Sequence, residues 1–337
     1  MENCVKVSVY CLAYNHSAFI EQTIKGFLSQ KTNFRFEVII HDDASPDGTA
    51  NIIKKYEKEY PDIIKGIYQV ENQYSKCASL IQAYILPRLS GEYVAICEGD
   101  DFWTDPNKLQ RQVDALDANP DCHFCVHKTN EVWVSGEETG KTFPSFDMDS
   151  KIMDSCEFLT LCSKSYSFHT SSYMFRMTEW RKYMENPPKF KSLCDVGDEP
   201  YLLYFGQLGK VCYMNQVMSA YRRGVPSSWS QSNAVTTDIN RLIKHPTAMI
   251  ATYEAFDEYT GGKYHSLFVH KLAMMKLRVA VYTRNCKQLL SKKEKEYFQA
   301  LSISKRGVVV VAAIFPRTVL KYYIRRLNRL NRRKGYV

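Results

Sequence analysis

The chain has 337 residues, 45% of them hydrophobic and 24% charged, which supplies a sizeable core and excludes a disordered segment. Its net charge of +9 belongs to one stretch: from Lys305 onward there are ten Lys/Arg and no Asp/Glu, so the body is close to neutral and lacks the basic face that nucleic acid requires. Eleven scattered cysteines, and a start at Met1-Glu2-Asn3-Cys4 that runs into a strand without a signal-peptide core, predict a reducing, cytoplasmic setting.

In chain order, alternating Val5, Val7 and Val9 predict a strand ending near Leu12. A polar turn, Tyr14-Asn15-His16-Ser17, follows. Ile20, Ile24, Phe27 and Leu28 then mark a helix with Ser17 as its N-cap. A second strand, Phe36 to His41, ends in Asp42-Asp43-Ala44-Ser45-Pro46-Asp47-Gly48, a run of turn formers. Ile52, Ile53, Tyr56 and Tyr60 mark a second helix, and Ile63 to Gln69 a third strand. A helix over 76–89 and a strand over 93–97 lead into "CEGDDFWTDP", residues 97–106, with four acids in ten positions.

Strands alternating with helices predict an α/β fold with a mostly parallel sheet. In such sheets the ligand lies at the carboxyl ends of the strands. Three polar clusters fall there: Tyr14-Asn15, Asp42-Asp43 and Glu98-Asp100-Asp101. Acids at this spacing repel one another unless a cation or strong donors neutralise them. Neither glycine-rich phosphate fingerprint is present, so nucleotide phosphates would need another counter-charge. Carboxylates can hold Mg²⁺ or Mn²⁺, which in turn binds phosphate. An EF-hand reading of the loop from Asp43 fails at its twelfth position, Lys54. Cys122-His123-Phe124-Cys125 reads as a buried strand whose thiols point to opposite faces, without a second pair to complete a zinc site.

The stretches "VSVYCLAYNHSAFIEQTIKGFLSQ", "FEVIIHDDASPDGT" and "GEYVAICEGDDFWTDPNKLQRQV" resemble, in order and spacing, the inverting family 2 glycosyltransferases. That resemblance covers residues 5–130. It implies the GT-A fold: a Rossmann-like, mixed but mostly parallel sheet flanked by helices. It also implies a nucleotide-diphosphate-sugar donor, with UDP the family expectation. On it, Tyr14 with Asn15 lies beside the base, and Asp43 or Asp42 accepts a hydrogen bond from the base. Asp100 is the metal ligand of the family's D-x-D element for Mn²⁺ or Mg²⁺. Glu98 stands where the first Asp usually stands, with Gly99 between the two. Lys76 would face a phosphate, although an exposed lysine at a helix start fits it as well.

The stretch "DVGDEPYLLYFGQLGKVCYMNQVMSAYRRG" (195–224) resembles the family's acceptor side. The resemblance implies Asp198 as the base, with Glu199 and Asp195 as alternates. A helix cap is the competing reading of an acid before Pro200. His169 would line the acceptor pocket, or be an ordinary core or surface histidine. Asp101, which matches a common continuation of the family's acidic motif, is also assigned to the acceptor side. Arg222 and Trp229 read as a loop closing over the diphosphate.

Beyond residue 235 the apolar periodicity becomes helical, and Ser291 with Glu294 has the spacing of a capping box. "GVVVVAAIFP" (307–316) is too short to span a bilayer. Val319, Leu320, Tyr323, Ile324, Leu327 and Leu330 form one helical face, with Arg317, Lys321, Arg325, Arg329, Arg332 and Arg333 largely away from it. Such a helix fits an anionic membrane surface, its own domain, or RNA.

The expectation is a GT-A domain over 1–234, its donor half about 1–130 and its acceptor half about 131–234. A C-terminal helical extension follows over 235–337, with a basic amphipathic tail at 305–337. The chain is expected to transfer sugar to a saccharide or lipid-linked saccharide in surface polysaccharide or glycan assembly, on the cytoplasmic face of a membrane, with no nucleic-acid partner. The rivals are a non-catalytic sugar-nucleotide binder of the same fold and a basic RNA-interaction protein. Donor sugar, linkage and oligomeric state are not encoded in these motifs.

Overall fold

A computed structural model describes residues 4–77, 79–164, 168–226, 228 and 238–333. The chain divides into two compact units, Met1–Pro187 with Tyr204–Arg223, and Pro188–Leu203 with Gly224–Val337.

The first unit is built on one sheet. Its strands are β1 (Val5–Ala13), β2 (Arg35–Asp42), β3 (Ile64–Tyr68), β4 (Tyr93–Ile96), β5 (Phe102–Trp103), β6 (Cys122–Trp133), β7 (Glu138–Phe143), β8 (Lys151–Met153), β9 (Met174–Arg176) and β10 (Lys210–Arg223). The order is β3-β2-β1-β4-β9-β6-β10-β5, with β7 on β6 and β8 on β10. The β3-β2-β1-β4 half is parallel, as are β6 and β10, while β9 runs antiparallel between β4 and β6. The fold is therefore the expected mixed α/β architecture.

β1 lies between two parallel neighbours, and Val7 through Cys11 are buried on both faces. Helix α1 (Ile20–Leu28) buries Ile20, Ile24 and Phe27 in the same core as Leu109, Val113 and Leu116 of α2 (Lys108–Ala118). Each such side chain contributes about 1.5–3 kcal/mol through burial. Gly26 lets α1 approach β5 closely, because a Cβ there would lie 2.9 Å from the Trp103 carbonyl oxygen.

Three local expectations are corrected. Ser17 is not the N-cap of α1. The helix starts at Ile20 behind Phe19, and the Ser17 N–H donates instead to Asp47 Oδ2 at 3.0 Å. Segment 76–89 is a π turn, Ile81–Ile85, followed by a 3-10 turn, Leu86–Arg88. Pro87 lacks the N–H that a regular helix would use. The Ser291–Glu294 capping box does not form. Ser291 makes no side-chain cap bond, and the buried Glu294 carboxylate pairs instead with Lys276 Nζ at 3.3 Å.

The second unit is helical: Lys189–Leu193, the start of Glu199–Leu208, Ile239–Tyr259, His265–Tyr282, Lys295–Ala300, Ile303–Ile314 and Pro316–Arg333. Ala273, Leu277, Val281, Leu289, Val309 and Ala312 belong to its core. Val319 and Tyr323 pack against that core. The apolar face of Pro316–Arg333 is therefore turned toward its own unit and is half-buried from Val319 to Leu327. Among the described residues no helix is long and apolar enough to cross a membrane.

Candidate active site

In the first unit the carboxyl ends of β1, β2 and β4 meet, because β1 pairs with both neighbours. The Asp43 N–H donates to the Ala13 carbonyl at 3.0 Å, and the Gly99 N–H to the Leu12 carbonyl at 2.9 Å. A Cβ on Gly99 would sit 2.7 Å from His16 Nδ1 and 3.1 Å from that carbonyl, so only glycine permits this approach.

The turn after β1 is laced to the turn after β2. Asn15, in a left-handed conformation at φ 58, donates its N–H to Ser45 Oγ at 3.0 Å. His16 N–H donates to Thr49 Oγ1 at 2.9 Å. Burial pushes Asp47 up, but hydrogen bonds from Thr49 and Ser17 outweigh it and hold its carboxyl at about 2. Asp47 and Thr49 are thus turn scaffolding. Tyr14 remains 43% exposed above them.

The two acids ending β2 differ. Asp43 is buried and accepts the N–H groups of Gln73 and Tyr74 at 2.7 and 3.0 Å. Asp42 accepts the Ser45 N–H at 3.2 Å through Oδ2, while its Oδ1 is buried without a hydrogen-bond partner. Lys76 is exposed and pairs with Glu71 at 2.7 Å.

After β4, Glu98 and Asp100 are half-buried and Asp101 is buried. Thr23 Oγ1 of α1 lies 2.6 Å from the Asp101 carbonyl oxygen and 3.1 Å from that of Gly99, pinning the turn. His16 Nε2 stands 3.9 Å from Asp100 Oδ2. Burial lowers the pKa of His16, opposed by the Asp100 charge. Its Nδ1 is buried without a hydrogen-bond partner.

Arg222 is not on a loop. It lies near the end of β10, beside Val132 of β6, and is 4% exposed. Its N–H donates to Asp101 Oδ1 at 2.8 Å. Its guanidinium donates to the Asp100 carbonyl and, at 2.5 Å, to Gln22 Oε1. The group is stacked between Phe19 and Phe102, 4.8 and 4.9 Å from their ring centroids. Strand pairing and this aromatic sandwich fix a residue that sequence reasoning left mobile.

His169 is buried, with Nε2 3.5 Å from Asp101 Oδ2 and Nδ1 2.9 Å from Ser171 Oγ. A hydroxyl chain continues through Ser219 to Thr129 at 2.9 Å per step. Burial pushes His169 down to about 3. Burial, then the Asp100 charge, pushes Asp101 well above the usual carboxylate range. The pair therefore favours a neutral imidazole beside a carboxyl that readily holds a proton.

In the second unit, Asp198 Oδ1 accepts the Glu199 N–H at 2.9 Å, and its carbonyl accepts those of Tyr201 and Leu202. It thus opens its helix as a cap. Glu199 is buried, accepting from Tyr253 Oη and from Lys271 Nζ at 3.2 Å. Asp195 Oδ1 lies 2.7 Å from His245 Nδ1. Trp229 lies outside the described residues.

Among the described residues no three His, Cys, Asp or Glu side chains form a protein-only metal cage. The donor set still suits a hard cation. Mg²⁺ and Mn²⁺ use one or two carboxylates together with substrate phosphates, and half-buried Asp100 with Glu98 supplies that number. Sequence reasoning missed His16, Gln22 and Thr23 as parts of this site. The signal for Thr23 was available: it is a polar residue on the buried face of α1, three positions after Ile20.

The family model described as Glycosyl transferase family 2 matches residues 8–176. The chain is 37% identical over 263 residues to the uncharacterized protein Rv1520 of Mycobacterium tuberculosis, covering 76% of this chain and 69% of the relative. It is 34% identical over 107 residues to the UDP-Glc:alpha-D-GlcNAc-diphosphoundecaprenol beta-1,3-glucosyltransferase WfaP of Escherichia coli, covering 32% of this chain and 39% of WfaP. Among solved structures, S. aureus TarS 1-349 in complex with UDP-GlcNAc superposes with a TM-score of 0.59 at 16% identity, covering 98% of this chain and 92% of that one. At that identity the likeness concerns the fold.

Proposed function

From glycosyl transferase family 2, to which this chain belongs, we propose that it is an inverting enzyme moving a sugar from a nucleotide-diphosphate donor, UDP-linked, to a saccharide or lipid-linked saccharide in surface polysaccharide assembly. The carrying observation is the meeting of the carboxyl ends of β1, β2 and β4, tied by main-chain hydrogen bonds from Asp43 to Ala13 and from Gly99 to Leu12. The UDP-GlcNAc in the TarS complex and the activity in WfaP's name support the donor class, and WfaP's name also supports a lipid-linked acceptor.

On this reading residues 1–130 hold the donor and 131–234 the acceptor. Tyr14 and Asn15 flank the base, and Asp43 or Asp42 accepts its N–H. Asp42 Oδ1, buried and unbonded, has the spare acceptor capacity this requires. Asp100, with Glu98, would hold Mn²⁺ or Mg²⁺, which when bound neutralises charge on the departing diphosphate. Arg222 fixes the Asp100-Asp101 turn. Asp198 takes the proton as the acceptor oxygen attacks the anomeric carbon and the bond from that carbon to the diphosphate breaks. His169 and Asp101 form the wall of the acceptor half. The enzyme works on the cytoplasmic face of a membrane.

The test is a thermal-shift screen of nucleotide-sugars with and without Mn²⁺. A metal-dependent rise with one UDP-sugar is expected. No rise with any donor would overturn the proposal.

A further inference from the structure

Helix Ile303–Ile314 has two faces of opposite fate. Val309 and Ala312 are buried in the core of the second unit. On the other side Ile303 is 86% exposed, Ile314 65%, and Val310 and Val311 nearly half. At 100° per residue, positions 303, 307, 310, 311 and 314 fall within about 100° of arc. Gly307 lies on that arc, and a Cβ there would meet open space. Phe315, 59% exposed, extends the ridge to the next helix. Single exposed apolar residues are ordinary, but a contiguous row marks an interaction surface.

What borders the ridge identifies its partner. Arg317, Lys321, Arg325, Arg326 and Arg329 are all exposed, the first two within one or two turns of Phe315, and Tyr322 among them is 62% exposed. No acid occurs from Lys305 onward. An apolar row bordered by one sign of charge is complementary to an anionic lipid surface. A second copy of the chain would set these cations against one another across a two-fold axis. The 12 residues of this helix reach about 18 Å, short of a hydrocarbon core of about 30 Å, so the helix lies in the interface.

We propose that Ile303, Val310, Val311, Ile314 and Phe315 insert into the headgroup region of an anionic bilayer, while the basic row of Pro316–Arg333 binds its phosphates. The inserting element is thus the exposed apolar ridge of the helix Ile303–Ile314, because the apolar face of the basic helix is occupied by its own unit through Val319 and Tyr323. This deepens the proposed function by naming the surface that brings the enzyme to its acceptor, but its evidence is independent of the transfer site.

The test is co-sedimentation of the full chain with vesicles of phosphatidylglycerol and phosphatidylethanolamine, and with vesicles of phosphatidylcholine alone. The protein should partition onto the anionic vesicles only. Ile314→Asp with Phe315→Asp should lower that partition about tenfold or more, with thermal midpoint and metal-dependent donor stabilisation unchanged. Should that variant misfold, Phe315→Trp decides: its emission should shift to the blue on anionic vesicles. Unchanged partition in the double variant, or no shift at Trp, would overturn the proposal. So would a solution dimer dispersed by the same variant, or retention on polyuridylate without vesicle binding. Loss of donor stabilisation with vesicle binding intact would sink the transferase reading and leave this one standing.

Discussion

The main-chain N–H of Arg222 donates to Asp101 Oδ1 at 2.8 Å across 121 positions of sequence. This bond joins β10 to the turn after β4, and the guanidinium of the same residue reaches the Asp100 carbonyl. The acid proposed to hold the cation is thereby set by a strand that lies beyond β9 and β6 in the sheet order.

Arg222→Met should therefore loosen the Asp100-Asp101 turn while leaving the β6–β10 pairing intact. A displacement of about 1 Å at a reacting centre costs on the order of a hundredfold in rate. Transfer is expected to fall by about that factor, with a smaller change in KM for the donor. Steady-state kinetics checks it, and an unaltered kcat would remove Arg222 from the machinery.

Asp100→Asn keeps the size of the side chain and removes its charge. Donor stabilisation by Mn²⁺ should disappear and transfer should drop steeply. Glu98→Gln should have the smaller effect, because Glu98 occupies the substituted position of the pair. Thermal shift with and without the ion separates the two.

Asp198→Ala should lower transfer by about 10²–10⁴-fold, the range for a positioned general base, with donor binding preserved. The helix-cap role predicts instead a loss of about 1 kcal/mol in stability and near-normal turnover. Unfolding midpoints measured beside single-turnover rates distinguish these outcomes.

Lys108 gives a pH-dependent prediction. It is fully buried, donates to Gln112 Oε1 at 2.7 Å and lies 4.1 Å from the centroid of the Trp103 ring. Burial lowers it from 10.5 to about 7. Between those values the unfolded chain binds a proton that the folded chain does not. Stability should therefore rise with pH across that window, and below it the cost of burying the charge is constant. The scale is about 1.4 kcal/mol per pKa unit. Lys108→Met should flatten the rise, as judged by urea unfolding at neutral and alkaline pH. An identical slope in both proteins would mean that Lys108 stays charged.

The sequence by itself determined the alternation of strands and helices, the three polar strand ends and the place of Asp100 among them. These follow from local rules: hydrophobic period, turn chemistry and the position of a strand's last residue. Strand neighbours decided the rest. Arg222 reads locally as a mobile basic residue and is buried because β10 pairs with β6. His169 faces Asp101, 68 positions away, only because β9 lies between β4 and β6. For the basic helix, periodicity gave the apolar face but not what covers it. Tertiary packing turned that face inward through Val319 and Tyr323 and left the neighbouring helix's ridge outside. A one-dimensional pattern fixes which side of an element is apolar, and only long-range contacts, whose loop-closure entropy the local sequence does not encode, choose its partner.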